Sequence, residues 1–221
     1  MPQPSAIRRH FLGSLQAATA PKEPYPHWLL DGVLPLETAA AVVDLPLTPA
    51  QIGETFGKRD SHNESRAFFA GALLNEQPVC RNLAAGFQDP ETVAALEQAT
   101  GAGLAGNYLR IEYCQDTRGF WLEPHTDIGA KKFTMLIYLS TAPGAAGWGT
   151  DLYDKDKRRV GRAPAAFNQG LIFIPGDNTW HGFEPRPIDG VRRSLIVNYV
   201  IPDWRARHEL AFPDQPVRAA G

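Results

Sequence analysis

The chain reads as a mainly β protein with flanking helices: a sandwich or jelly roll preceded by a helical N-terminal half that packs on one sheet. Three observations predict this. Segments with helical spacing crowd the residues before Gly101. Beyond it come NYLRIEYC, KKFTMLIYLS, TDLYD, GLIFIPGD and RRSLIVNYVI, short runs of strong β-formers separated by Gly and Pro turns. In the last run the alternation is explicit. Arg192, Ser194, Ile196 and Asn198 share one strand face, and Arg193, Leu195, Val197 and Tyr199 share the other.

Taken in order, Ile7, Phe11, Leu12 and Leu15 mark one side of a short amphipathic helix. The same stretch, IRRHFLGSLQAATA, has the outline of a twin-arginine export signal. Its apolar part is short and broken by Ser14 and Gln16, so residues 1–24 are expected to be a helical or frayed segment instead. PLETAAAVVDLPL predicts a helix with Pro35 near its start and Pro46 closing it. The stretch from Leu47 to about Phe68 is polar and mixed, with DSHNES as an exposed loop. RAFFAGALLN and DPETVAALEQATG both carry helical spacing; the second opens on Asp89-Pro90 and ends at Gly101, good cap signals. The mixed-sign run from Asp154 to Arg159 lies between two strands and reads as a solvated hairpin tip. No internal repeat is present. Residues 25–205 are expected to form one domain, with 206–221 as a C-terminal tail.

Bulk properties narrow the function classes. With 221 residues and 43% hydrophobic content, the chain can build one sizeable core. A formal net charge of -2 gives no support to a nucleic-acid partner. No apolar run approaches the length of a membrane span. The two cysteines, Cys80 and Cys114, are too few for a disulfide framework, and a reducing cytoplasm is the expected setting.

The chemistry concentrates in His125-Thr126-Asp127, answered by His181 directly after the apolar run LIFIP and its turn. Residues i and i+2 of an extended strand point to one face, so His125 and Asp127 can hold one metal while Thr126 points away. Two imidazoles and a carboxylate are the facial triad that binds non-haem Fe(II) and leaves its remaining positions open. Taken alone, H-x-D is a weak signal in a chain with six His. His10, His27, His62 and His208 lack a partner at strand spacing and receive no metal role. The third element is Arg192 with Ser194. An otherwise half-buried strand should not begin its inner face with Arg and Ser unless they have a partner. A guanidinium grips a carboxylate through two parallel hydrogen bonds, and a neighbouring hydroxyl can add a third. Metal plus an anchored dicarboxylate is the expected combination.

The order H-T-D, then H, then R-R-S resembles the Fe(II)- and 2-oxoglutarate-dependent oxygenases, in particular the prolyl-4-hydroxylase-like branch. The resemblance runs from about Pro26 to Pro202. YPHWLLDGVLPLETAAAVVD is similar to that family's opening strand and first helix, and RIEYCQDTRGFWLEPHTD to its approach to the metal. It implies a cupin-like double-stranded β-helix with His125, Asp127 and His181 as iron ligands at its open mouth. It implies Arg192, with Ser194 beside it, pairing with the distal carboxylate of 2-oxoglutarate. Tyr138 and Tyr113 fall where this branch places tyrosines that contact the cosubstrate. Strand phase permits both contacts: Tyr138 shares a face with Thr134 and Leu136, Tyr113 with Leu109 and Ile111. The implied reaction consumes 2-oxoglutarate and O2, hydroxylates a substrate and releases succinate and CO2.

Three alternatives stand beside it. A radical halogenase would need a small residue where Asp127 stands. A His2Asp zinc hydrolase gives no reason for Arg192 and Ser194. A non-catalytic cupin-like binding protein would not need an intact triad. The substrate stays open among a small metabolite, a sugar or glycan precursor, and a protein side chain.

Overall fold

Two nine-residue strands with period-two alternation must bury two unlike faces, and the fold is arranged around that requirement. The computed structural model describes residues 2–51, 56–58, 65–127 and 129–220. These contain helices α1 (Pro4–Gln16), α2 (Leu36–Val43), α3 (Gly71–Glu76), α4 (Pro78–Gln88) and α5 (Pro90–Thr100). The strands are β1 (His27–Leu30), β2 (Arg66–Phe68), β3 (Tyr108–Asp116), β4 (Leu122–His125), β5 (Lys131–Tyr138), β6 (Asp151–Tyr153), β7 (Arg159–Arg162), β8 (Gly170–Phe173), β9 (His181–Phe183) and β10 (Arg192–Val200). A six-stranded sheet has the order β1-β8-β5-β10-β3-β2, and a four-stranded sheet the order β4-β9-β6-β7. Every strand pairing is antiparallel.

The outer face of the large sheet is apolar and meets the helices. Leu109 and Ile111 of β3, Phe133 and Met135 of β5, and Leu195 and Val197 of β10 join one buried cluster with Ile7, Phe11, Leu83, Phe87 and Leu96. Phe11 and Phe87 meet edge to face with ring centroids 5.2 Å apart, locking α1 onto α4. The Tyr199 hydroxyl donates to the Phe87 carbonyl at 2.6 Å, which ties β10 to the helical layer and satisfies a buried polar group. The inner face carries Arg110, Glu112, Asp116, Thr134, Arg192, Ser194 and Asn198, all buried. One strand face builds the core, and the other is left for chemistry.

Local signals explain several boundaries. Asp89 caps α5 by accepting from the Glu91 amide, Pro90 occupies the first turn, and Gly101 ends the helix at φ 75. Asp154 organises the β6–β7 hairpin tip, its carboxylate accepting from the amides of Asp156 and Arg158. Other expectations are corrected. RAFFAGALLN is not one helix: Arg66, Ala67 and Phe68 pair with β3, and α3 begins only at Gly71. Cross-strand pairing outweighs helical spacing there because an open β3 edge lies alongside. The N-terminal part is not purely helical either, since β1 and β2 form the two edges of the large sheet. Residues 4–16 pack rather than fray, with Ile7, Phe11 and Leu15 buried. Residues after 205 continue into the domain: Ala211 donates its amide to Leu109 at 3.0 Å, and Leu210 and Val217 are buried. Cys80 and Cys114 are both buried thiols, and Cys114 Sγ donates to Glu112 Oε1 at 3.1 Å. Positions 60–64 of the expected exposed loop, His62 included, lie outside the described residues. No described helix is long and apolar enough to cross a membrane.

Candidate active site

The small sheet places the two expected imidazoles side by side. β4 pairs with β9 so that His125 stands opposite His181, with ring centroids 4.4 Å apart. His125 Nδ1 lies 2.7 Å from the Glu123 carbonyl, and His181 Nδ1 lies 2.9 Å from the Thr179 carbonyl. A carbonyl only accepts, so each Nδ1 carries the hydrogen and each Nε2 keeps its lone pair, the tautomer a metal ligand needs. Burial pushes His181 down to about 4, against the opposing pull of Asp127. The imidazole is therefore neutral near pH 7.

Gly182 makes the close approach of β4 and β9 possible. A Cβ at this position would sit 2.9 Å from the Leu122 carbonyl oxygen and 3.0 Å from that of Glu123. Backbone cannot step aside as a flexible side chain can. Gly182→Ala is expected to pry β4 from β9, separate the histidines and weaken divalent-metal binding about tenfold or more. Calorimetric titration with Mn(II) checks this; unchanged affinity would mean the two strands are not held in register by this glycine.

Asp127 behaves differently. β4 ends at His125, so no strand period aims the Asp127 carboxylate at the point the imidazoles share. Its Oδ1 takes an ion pair from Lys131 Nζ at 2.7 Å, and its Oδ2 accepts from the Thr134 hydroxyl at 2.6 Å. Thr134 in turn accepts from Asn198 Nδ2 at 2.9 Å. Burial alone would raise this carboxyl; the Lys131 ammonium, the neighbouring His181 ring and the two hydrogen bonds hold it well below the usual range. Among the described residues no group of three or more His, Cys, Asp and Glu side chains is clustered closely enough to hold a metal ion. This corrects the expectation of a triad assembled by i, i+2 spacing. The imidazole pair is preformed, while Asp127, a buried carboxylate that needs a counter-charge, is turned to Lys131. All three side chains nevertheless line one cavity, and they fit a divalent ion in donor type and tautomer.

That cavity, about 510 Å³ between the two sheets, extends from the histidines to Arg192 past Thr134, Leu136, Thr150 and Ile196. Arg192 is buried, with Nε donating to the Trp148 carbonyl at 2.8 Å and Nη1 to Asp116 Oδ2 at 2.6 Å. Its guanidinium also lies 4.6 Å from the Phe183 ring centroid. Asp116 is the residue opposite Arg192 in the β10–β3 register. Sequence reasoning missed this partner; the only signal was an acid ending a β-run. A guanidinium has five N–H donors, so further donors remain for a ligand. Ser194 sits between Arg192 and Ile196 on the same strand face, its hydroxyl buried without a hydrogen-bond partner. Tyr138 shares the inner face of β5, and its hydroxyl donates to Thr150 Oγ1 at 2.8 Å. Burial raises its pKa, so the hydroxyl stays protonated.

Tyr113 is not part of this constellation. It pairs with Leu195, whose side chain faces the helices, and it belongs to the apolar cluster there. Burial pushes its hydroxyl up to about 12, with Arg193 pulling the other way. The expected cosubstrate contact from Tyr113 is withdrawn for a geometric reason: β3 turns it away from Arg192.

No protein-family model and no curated protein sequence matches the chain. Solved structures do. A prolyl-4-hydroxylase from Pseudomonas putida superposes over 90% of this chain and 95% of its own, with 14% identity and a TM-score of 0.55. One from Phytophthora capsici covers 93% and 68% respectively, at 14% identity and a TM-score of 0.60. The chain has the fold of the prolyl-4-hydroxylases. A non-haem α-ketoglutarate-dependent epimerase from nogalamycin biosynthesis shares it over 90% of this chain and 84% of that one, at 18% identity and a TM-score of 0.52. The prolyl-4-hydroxylase fold thus accommodates more than one reaction, and chemistry has to be argued from side chains.

Proposed function

We propose that this protein is an Fe(II)- and 2-oxoglutarate-dependent dioxygenase that hydroxylates its substrate with release of succinate and CO2. The observation that carries the proposal is the register-matched pair His125 and His181, with Nδ1 atoms tied back, on the same cavity as Asp127 and Arg192. In this role His125, His181 and Asp127 hold the iron, with Thr134 and Asn198 setting the tilt of the carboxylate. Arg192 takes the distal carboxylate of 2-oxoglutarate through its remaining N–H groups, and the unpartnered Ser194 hydroxyl adds a donor. Tyr138 supports Thr150 on the cavity wall. Leu136, Ile196 and Phe183 line the space between iron and Arg192 and keep water from the reacting groups. When bound, the iron supplies the redox chemistry that couples O2 reduction and 2-oxoglutarate decarboxylation to substrate oxidation. As an iron ligand Asp127 would occupy the position a halide needs, and so would favour oxygen transfer over halide transfer. Since 2-oxoglutarate is a cytoplasmic metabolite, the proposal also implies a cytoplasmic location.

Reconstitution under anaerobic conditions with Fe(II), followed by 2-oxoglutarate and O2, tests this directly. The expected result is iron-dependent succinate release, at least at the slow rate of turnover uncoupled from substrate, and no carbon–halogen product in excess chloride. A protein that takes zinc but produces no succinate under any of these conditions would be a hydrolase or a binding protein instead.

A further inference from the structure

At the other end of the cavity from Arg192 stands a second buried guanidinium, Arg110, on the inner face of β3. It lies between two rings, 4.7 Å from the centroid of Phe68 and 5.3 Å from that of Trp204. Nε donates to Glu209 Oε2 at 2.6 Å, and Nη1 reaches Glu112 Oε2 at 2.7 Å and Asn198 Oδ1 at 3.2 Å. Arg66 completes the wall through its ion pair with Glu112 at 2.6 Å. Buried ion networks return little net stability, because desolvation consumes most of the attraction. Four charged side chains facing a cavity are better explained by what they receive.

Among the described residues these four side chains are two cations and two anions, so their charges balance. The Trp204 indole N–H is buried without a hydrogen-bond partner. Among the described residues, the bonds of Arg110 use Nε and Nη1, and the ion pair of Glu209 uses Oε2. Arg110, Trp204 and Glu209 all line the cavity. The wall is also linked to the candidate iron ligand. Arg110 bonds Asn198 at 3.2 Å, Asn198 bonds Thr134 at 2.9 Å, and Thr134 bonds Asp127 at 2.6 Å. A group docked on Arg110 therefore lies on the reacting side of the cavity, away from the Arg192 end.

We infer that the substrate is a small zwitterion with the chemistry of a free α-amino acid, its carboxylate on Arg110 and the Trp204 N–H and its ammonium on Glu209. The inference rests on the dioxygenase proposal, which assigns the Arg192 end to 2-oxoglutarate. Cavity size agrees: about 510 Å³ must contain the dicarboxylate and the substrate together, which leaves room for a small molecule.

The test uses the full-length protein loaded with redox-inert Zn(II) and saturated with 2-oxoglutarate. The proteinogenic L-amino acids are titrated singly, by saturation-transfer NMR and then calorimetry. At least one is expected to bind, and its N-acetyl and carboxamide derivatives should bind about tenfold more weakly or worse. Trp204→Phe keeps a ring against Arg110 and removes the N–H alone, and Glu209→Gln removes the negative charge alone. Each should weaken the same amino acid about tenfold, with 2-oxoglutarate affinity unchanged. If 2-oxoglutarate binds and no free amino acid does, or if blocked derivatives bind as well as the zwitterion, the inference falls and the dioxygenase proposal stands. If 2-oxoglutarate itself fails to bind, both fall.

Discussion

Replacing His181 with alanine is expected to abolish tight divalent-metal binding and, with it, succinate release. His181 is the buried member of the imidazole pair, 8% exposed, its ring tilted against those of Phe173 and His125 with centroids 4.7 Å and 4.4 Å away. Losing even a group that supports a ligand costs about 10–100-fold in metal affinity, and losing the ligand itself should exceed that. Mn(II) calorimetry measures the affinity, and far-UV circular dichroism shows that the two sheets survive the truncation. Asp127→Ala is the companion variant. It leaves the preformed histidine pair intact, so residual metal binding is expected there and not in His181→Ala. Wild-type metal affinity in His181→Ala would remove the metal centre from this site.

Arg192→Met is expected to have two separable effects, because Arg192 has two kinds of partner. Within the protein it neutralises the fully buried Asp116 at 2.6 Å. Breaking one partner of such a pair leaves an uncompensated buried charge and costs roughly 3–5 kcal/mol of stability. Toward the cosubstrate, the lost fork should raise the 2-oxoglutarate requirement about a hundredfold or more, since about 1.4 kcal/mol corresponds to each decade. The double variant Arg192→Met with Asp116→Asn separates the effects. It removes both charges, so stability should return while 2-oxoglutarate affinity stays low. Arg193→Met is the positional control, because Arg193 lies on the opposite strand face, toward Tyr113. Denaturant midpoints and 2-oxoglutarate titrations of the four proteins decide the matter. Equal loss of cosubstrate affinity at positions 192 and 193, or recovery of affinity in the double variant, would refute the anchoring role of Arg192.

What could be read from the chain was whatever depends on local period. Alternation in RRSLIVNYVI separated the inner Arg192, Ser194 and Asn198 from the outer Leu195, Val197 and Tyr199, and the cap residues Asp89 and Gly101 marked the limits of α5. The same local rules misled where a segment was short or ended early. RAF has helical spacing with AGALLN, yet it joins the edge of β3. The i, i+2 rule does not carry past the end of β4, so no strand imposes the orientation of Asp127.

By itself the sequence determined the β-rich class, the two faces of the long strands, and the residue types proposed for a metal beside an anchored carboxylate. These follow from covalent spacing along one strand, which is legible in one dimension. Only the tertiary structure decided which partners those residues meet. Asp116 reaches Arg192 across 76 positions, and Asn198 reaches Arg110 across 88, because β10 lies beside β3 in one register. Tyr113 left the site and Arg110 entered it for that same reason. Register between strands is set by burying a whole apolar face at once, a cooperative quantity that no single residue or motif in the chain contains.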